Sequence, residues 1–120
     1  MHILVVDDSR AMRMIVIRTL RQAGFEGHQI SEAADGREAF EAVKDTRPDL
    51  VLSDWNMPNM TGIELLSALR RSGDETPFGF VTSEGSAEMR DWAERAGALF
   101  LIAKPFNPDT FRDALLPVMA

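Results

Sequence analysis

Short apolar runs alternate along this chain with segments whose apolar residues recur at helical spacing, and this alternation is what most restricts its fold. The four most apolar short runs are predicted to be strands: His2–Val6, Leu50–Ser53, Phe78–Thr82 and Leu99–Ala103. Runs of this kind are typical of parallel strands that are buried on both faces of a sheet. A weaker segment, His28–Ala33, is predicted to be a fifth strand because it lies between two helical segments.

The segments between these runs carry apolar residues three and four positions apart, which is the spacing of amphipathic helices. The first helix is predicted to end at Gly24, since glycine is favoured just after a helix C-terminus. The last helix is predicted to begin near Pro108 and Asp109. The apolar positions that define the five helices are Met12, Ile15, Val16, Thr19, Leu20 and Ala23; Ala39, Phe40 and Val43; Ile63, Leu66 and Leu69; Met89, Trp92, Ala93 and Ala96; and Phe111, Ala114, Leu115 and Val118.

Five strands alternating with five helices predict an α/β fold, in which right-handed crossovers build an open, doubly wound parallel sheet with helices on both faces. The 120 residues contain no repeat, low-complexity tract or linker, so we expect a single domain over residues 1–120. Gly79, inside the fourth predicted strand, is unusual there. It either loosens that strand or allows a neighbouring group to approach closely, and the sequence leaves both interpretations open.

Polar side chains follow four of the predicted strands. Ligands of open α/β sheets bind at the carboxyl ends of the strands, so we expect these side chains to converge. They are Asp7 and Asp8 after strand one, Asp54 after strand three, Thr82 and Ser83 at strand four, and Lys104, followed by Pro105, after strand five. Carboxylate oxygens suit Mg²⁺, one carboxylate can be a nucleophile, and a lysine and a hydroxyl can hold phosphoryl oxygens. The pattern predicts a magnesium-dependent phosphoryl site.

Each of these residues, taken singly, also has an ordinary structural role. The Asp pair before Ser9 could cap the first helix, and Asp54 could begin a turn. Thr82 could be a β-branched strand residue and Lys104 a solvated strand end. We prefer the functional interpretation because these roles are independent of one another and do not account for the convergence at one edge.

The acidic charge balance restricts the partners of the chain. A formal net charge of −6 and a pI near 4.8 argue against direct binding to nucleic acid or anionic lipid, so the expected partner is a protein. The chain has no cysteine, which excludes disulfides and thiolate metal sites. Met1–Val6 is too short for a membrane span and lacks the basic leader of a signal peptide. We therefore expect a cytoplasmic protein without a membrane segment.

Four motifs resemble those of the response-regulator receiver domains, and in particular those of the stand-alone, chemotaxis-type (CheY-like) receivers. They are LVVDDSRAMR, SDWNMPNMTG, VTSEG and AKPF, and they extend over essentially the whole chain. The resemblance implies a flavodoxin-like fold with strand order 2-1-3-4-5. It also implies a two-component phosphoacceptor switch, in which a sensor histidine kinase donates a phosphoryl group from its phosphohistidine and Mg²⁺ is the cofactor.

The resemblance further implies a role for each acidic residue of the site. Asp54 would be the phosphorylated nucleophile. Asp8 and Asp54 would ligate Mg²⁺ directly, together with the backbone carbonyl of Asn56, and Asp7 would act through a water molecule. Asn56 and Glu84 would tune the rate at which water removes the phosphoryl group.

Residues at the ends of strands four and five complete the implied site. Lys104 would pair with the phosphoryl group, Thr82 would supply the switching hydroxyl, and Ser83 stands beside them where relatives commonly have Ala. The Lys104–Pro105 bond would be the family's cis peptide. Leu101 occupies the output switch position, where chemotaxis-type receivers usually have an aromatic residue, so we expect Leu101 to contribute little to switching.

The implied output is binding of an unknown target protein to the face formed by helix four, strand five and helix five, by a monomeric domain. We expect no enzymatic activity beyond intrinsic autophosphorylation and autodephosphorylation.

One alternative is a receiver module acting within a larger output protein such as a transcription factor. Another is a small aspartyl-phosphate phosphotransferase or phosphatase, which Asn56 weakens because such an enzyme needs a second acid–base carboxylate close to Asp54. A flavodoxin-like cofactor binder would need a Ser/Thr/Gly phosphate loop in place of Asp7 and Asp8.

Overall fold

The computed structural model describes residues 1–119 and has the predicted α/β architecture, with five parallel strands in the order β2-β1-β3-β4-β5. The strands are β1 His2–Val6, β2 Gln29–Ala33, β3 Leu50–Ser53, β4 Phe78–Thr82 and β5 Phe100–Ala103. The α-helices are α1 Arg10–Leu20, α2 Gly36–Thr46, α3 Gly62–Arg71, α4 Ala87–Ala96 and α5 Pro108–Met119. Both the fold class and the strand order implied by the resemblance are confirmed.

Two predicted strand boundaries are wrong by one residue, whereas the predicted stop of the first helix at Gly24 is confirmed. Helix α1 is extended by a wider helical turn over Arg21–Phe25, in which Gly24 alone leaves the helical conformation, at φ 103°. The N–H of His28 donates to the Phe25 carbonyl, which closes that turn and delays β2 to Gln29. Strand β5 begins at Phe100, one position later than predicted, and Leu99 before it is 56% exposed.

The core consists of two apolar layers, one on each face of the sheet. Alternate strand residues such as Leu4, Val51 and Phe80 pack with α2, α3 and α4 on one face. Their neighbours, such as Val5 and Leu52, pack with α1 and α5 on the other face. Helices cover both faces of the sheet, so the central strands β1, β3 and β4 have no solvent-facing side on which polar residues could alternate, and they appear in the sequence as apolar runs. The edge strand β2 is partly exposed and more polar.

Polar caps begin the helices at the carboxyl edge of the sheet. The side chains of Ser9, Asp35 and Ser86 accept hydrogen bonds from the first turns of α1, α2 and α4. Thr61 and Glu64 form a reciprocal capping box at the start of α3. The turns that surround this edge are therefore fixed in place by the sequence that follows each strand.

Gly79 allows a close approach between strands rather than loosening β4. It lies opposite Phe100 in the register of β4 and β5, and β4 is continuous and buried throughout. A Cβ atom at position 79 would collide with the Phe100 ring. The second of the two interpretations of this glycine is therefore the one that the structure supports.

We expect Gly79→Ala to lower the free energy of unfolding by about 1–3 kcal/mol, the usual cost of overpacking a core. The substitution should cost less in a Phe100→Leu background, because the ring that the new methyl group meets is then absent. Gly27→Ala is the matched control, since no atom lies within 4 Å of a Cβ at that position. Urea unfolding measures all four variants. Equal costs of Gly79→Ala in the two backgrounds would contradict the proposed contact.

None of the helices within residues 1–119 combines the length and the apolar character that a bilayer-spanning segment requires.

Candidate functional site

Three carboxylates from two adjacent strands converge at the carboxyl edge of the sheet. Carboxylate oxygens of Asp7, Asp8 and Asp54 lie within 4.8 Å of one another. The backbone holds them there, because the Asp54 N–H donates to the Val6 carbonyl at 2.9 Å and the Asp7 N–H donates to the Ala33 carbonyl at 3.2 Å. These bonds continue the sheet beyond the ends of β1 and β3.

Asp7 is the buried member of the cluster, with only 4% of its surface exposed. Its carboxylate accepts a hydrogen bond from the Ser9 N–H at 2.8 Å. Arg13 donates to the Asp7 carbonyl at 2.7 Å and pairs with Glu32 at 2.9 Å. The sequence did not indicate this contact of Arg13, which fastens the first acidic turn to α1 and β2.

Burial and mutual repulsion disfavour the charged forms of two of these carboxylates. Burial is the main cause that raises the pKa of Asp7 above its ordinary value, and Asp8 adds to the effect. Burial also raises the pKa of Asp54, followed by repulsion from Asp7. The Lys104 ammonium acts in the opposite direction on both carboxylates. A bound cation would relieve the repulsion between these groups.

Lys104 and Thr82 reach the same edge from β5 and β4. The Lys104 N–H donates to the Thr82 carbonyl at 2.8 Å, and the Lys104–Pro105 peptide bond is cis. Thr82 is fully buried, and its hydroxyl accepts a hydrogen bond from the Glu84 N–H at 3.3 Å. The Lys104 cation therefore acts on the acidic cluster, and the buried Thr82 hydroxyl lies at the end of β4, the strand next to β3.

Three of the other predicted site residues, Asn56, Ser83 and Glu84, are exposed. Leu101 is half-buried, lies opposite Phe80 in the register of the sheet, and packs against the core layer that contains Phe80. Within residues 1–119, the carboxylate cluster is thus formed by Asp7, Asp8 and Asp54 alone.

Trp55 ties the turn after Asp54 to the helices. Its backbone N–H donates to the Asp54 carboxylate at 2.8 Å, and its backbone carbonyl accepts from the Gly62 N–H at 2.8 Å. The buried Trp55 ring packs against Phe80 at 4.7 Å and meets the edge of Trp92 at 5.5 Å. Trp92 is 56% exposed on α4, so an aromatic path leads from the cluster to the surface.

The donor set fits a hard divalent cation. All three side chains supply carboxylate oxygens, which Mg²⁺ prefers over nitrogen or sulfur ligands. The exposure of Asp8 leaves the cluster open to solvent on one side, and Mg²⁺ usually keeps several water ligands.

Comparison with known proteins identifies one matching family model and similar curated proteins. The family model of the response regulator receiver domain matches residues 3–116. Chemotaxis protein CheY-3 of Vibrio cholerae is 40% identical over 117 residues, which are 96% of this chain and 88% of that protein. Sporulation initiation phosphotransferase F of Bacillus subtilis is 36% identical over 113 residues, which are 94% of this chain and 89% of that protein.

Solved structures agree with these relatives. The chemotaxis response regulator CheY4 of Vibrio cholerae superposes with a TM-score of 0.84 at 39% identity, covering 98% of both chains. A second structure of CheY4, crystallized at low pH, gives a TM-score of 0.85 with the same identity and coverage. The chain therefore belongs to the response regulator receiver domain family, the phosphoacceptor switches of two-component signal transduction.

Proposed function

We propose that residues 1–120 act as one receiver domain in which Asp54 accepts a phosphoryl group from the phosphohistidine of a partner sensor histidine kinase. The observation that carries the proposal is the meeting of the Asp7, Asp8 and Asp54 carboxylates, on which the Lys104 ammonium acts. An accessible carboxylate beside an oxygen-ligand cluster and a cation is what an in-line phosphoryl transfer to aspartate requires.

Asp54 performs the covalent step. One of its carboxylate oxygens attacks phosphorus, and the bond between phosphorus and the donor imidazole nitrogen breaks, with its electron pair remaining on that nitrogen. The hydrogen bond from the Trp55 N–H orients the carboxylate before attack. Attack of water on the same phosphorus later releases phosphate and returns Asp54 to the free carboxylate.

Mg²⁺ would be held by the carboxylates of Asp8 and Asp54 and by the backbone carbonyl of Asn56, with Asp7 acting through a water molecule. When bound, it neutralises the carboxylates and the phosphoryl oxygens so that like charges can approach. The oxygen donor set and the raised pKa values of Asp7 and Asp54 support this assignment.

Lys104, Thr82 and Ser83 hold the phosphoryl oxygens once transfer has occurred. The ammonium of Lys104 already acts on Asp54, and the buried Thr82 hydroxyl is positioned by the Glu84 N–H. Asn56 and Glu84 are exposed beside the path of the attacking water, where their side chains set the rate of hydrolysis.

Signal output uses the face of α4, β5 and α5, which binds a target protein and which the Ser83–Gly85 loop connects to Thr82. This activity belongs to a cytoplasmic monomer that has no enzymatic substrate of its own beyond autophosphorylation and autodephosphorylation.

Tryptophan fluorescence tests the proposal directly. With Mg²⁺ present, beryllofluoride, a mimic of the phosphoryl group, should change the emission of Trp55, because Trp55 follows Asp54 directly and its backbone N–H is bonded to the Asp54 carboxylate. Trp92→Phe is the background for this titration, since the two indoles are in contact and both contribute to the wild-type signal. Asp54→Ala in that background should show no response. A saturable response of Asp54→Ala equal to that of its parent would contradict the assignment of Asp54 as the phosphoacceptor.

A further inference from the structure

Arg90, on α4, joins two segments that lie outside its own helix. Its Nη1 donates to the backbone carbonyl of Leu101 in β5 at 3.0 Å. Its Nε donates to the backbone carbonyl of Gly85 at 3.3 Å. One guanidinium therefore bridges the loop that follows β4 and the residue at the output switch position of β5.

The loop that Arg90 holds leads directly from the phosphoryl site. Ser83–Gly85 follows Thr82, and the Glu84 N–H is bonded to the Thr82 hydroxyl. The first part of this loop thus follows the position of the Thr82 hydroxyl, while its far end is attached to β5. Movement of Thr82 toward a phosphoryl group on Asp54 is therefore opposed by the hydrogen bond from Arg90 to the Gly85 carbonyl.

Gly85 packs closely enough against β5 for the Arg90 guanidinium to reach both carbonyls. A Cβ atom at position 85 would lie 2.8 Å from the Ala103 Cβ and 3.3 Å from Arg90 Nη2. The loop therefore lies directly on β5, and a larger residue would push it away. Because guanidinium donors form a fixed planar fork, one arginine can serve both carbonyls, whereas a lysine ammonium is a single point.

We infer that Arg90 is a positioning residue, a clasp that holds the Ser83–Gly85 loop against β5 and opposes the loop movement that accompanies phosphoryl binding at Asp54. The inference rests on the proposed function. Leu101 has no polar side-chain group with which to favour either position of the loop. The hydrogen bond from Arg90 to the Leu101 backbone carbonyl favours the resting position of the loop instead.

The test is the affinity of the Mg²⁺-loaded protein for beryllofluoride, measured by tryptophan fluorescence. Arg90→Ala and Arg90→Lys should both bind it about three- to tenfold more tightly, the effect of losing one or two exposed hydrogen bonds from the resting loop. Arg95→Ala is the matched control: Arg95 lies on the same helix, is 78% exposed, and pairs with Asp91 at 3.1 Å. It should bind like wild type.

A second measurement isolates the loop without any ligand. Backbone amide hydrogen exchange at Glu84, whose N–H is bonded to the Thr82 hydroxyl, should be several-fold faster in Arg90→Ala than in wild type or Arg95→Ala. Gly85→Ala should also tighten beryllofluoride binding, because the methyl group displaces the loop from Ala103. The double variant with Arg90→Ala should gain little more than either single variant, since both remove the same attachment.

The direction of the change separates a clasp from a general structural role. A variant that only damages the fold would bind beryllofluoride more weakly. Unchanged or weaker binding by Arg90→Ala, with normal binding by wild type, would overturn the clasp and leave the phosphoacceptor assignment standing. Absence of Mg²⁺-dependent binding by wild type would overturn both.

Discussion

Asp54→Asn should abolish phosphorylation of this protein by a small phosphodonor such as acetyl phosphate in the presence of Mg²⁺. The carboxamide retains the size of the side chain but removes the charge and the nucleophilic oxygen, so no acyl phosphate can form. The phosphorylated fraction, measured by Phos-tag electrophoresis, should fall from a substantial share of the wild-type protein to background.

The matched control for this substitution is Asp45→Asn. Asp45 is an exposed aspartate in the last turn of α2, away from the carboxyl edge of the sheet. The Asp45→Asn variant should be phosphorylated like wild type, which distinguishes loss of the acceptor from a change in net charge. If Asp54→Asn is still labelled to the wild-type extent, Asp54 is not the acceptor and the site has been misassigned.

The second large effect concerns stability, because Mg²⁺ should stabilise the fold strongly. A ligand present at about ten times its dissociation constant adds roughly 1.4 kcal/mol to the free energy of unfolding. In a domain of this size that corresponds to a rise in melting temperature of about 4–8 °C. The proposed metal site draws on the three clustered carboxylates, which the unfolded chain does not hold together. A melting curve that millimolar Mg²⁺ leaves unmoved would contradict the proposed site.

The pH dependence of the metal-free protein follows from the raised pKa values of Asp7 and Asp54. The folded state binds more protons than the unfolded chain, so these groups cost stability at neutral pH. That cost fades as the pH falls through their folded pKa values toward the ordinary value of 3.8. Asp7→Asn should therefore raise the metal-free melting temperature at neutral pH, by less in acid, and should remove most of the Mg²⁺ response.

Asp74 provides a control of opposite sign. Burial raises its pKa, but hydrogen bonds from Thr76 together with the charges of Lys44 and Arg70 hold the pKa of Asp74 below its usual range. Its stabilising contribution is present at neutral pH and is lost as the pH falls through its folded pKa. Asp74→Asn should therefore lower the melting temperature at neutral pH. Equal shifts of both variants in the same direction would contradict the electrostatic account of the cluster.

The sequence predicted the elements of this fold well because its central strands β1, β3 and β4 are buried on both faces. Continuous apolar runs as short as Leu50–Ser53 are typical of buried parallel strands, and polar residues that follow such strands must meet at one edge. The convergence of Asp7, Asp8 and Asp54 followed from that pattern alone. The order of the strands did not, since the apolar pattern is the same for several orders, and it came from the resemblance to the receiver family.

What the sequence did not predict depends on contacts between distant segments. The contacts of Arg13 and Arg90 are hydrogen bonds from long side chains to backbone carbonyls, and a carbonyl is present at every residue. The role of Gly79 depends on Phe100, which faces it only through the strand register. The contact of Trp55 with Trp92 joins a loop to a helix, and no spacing rule in the sequence predicts such a contact.

The position of the phosphoryl group itself is the most direct test of the central claim. The wild-type protein can be phosphorylated with Mg²⁺ and acetyl phosphate and then treated with borohydride, which reduces an aspartyl phosphate to homoserine. Tandem mass spectrometry of the digest then locates the reduced residue. We predict homoserine at position 54 and at no other aspartate. Homoserine at Asp7, Asp8 or another residue, with unmodified Asp54, would contradict the account.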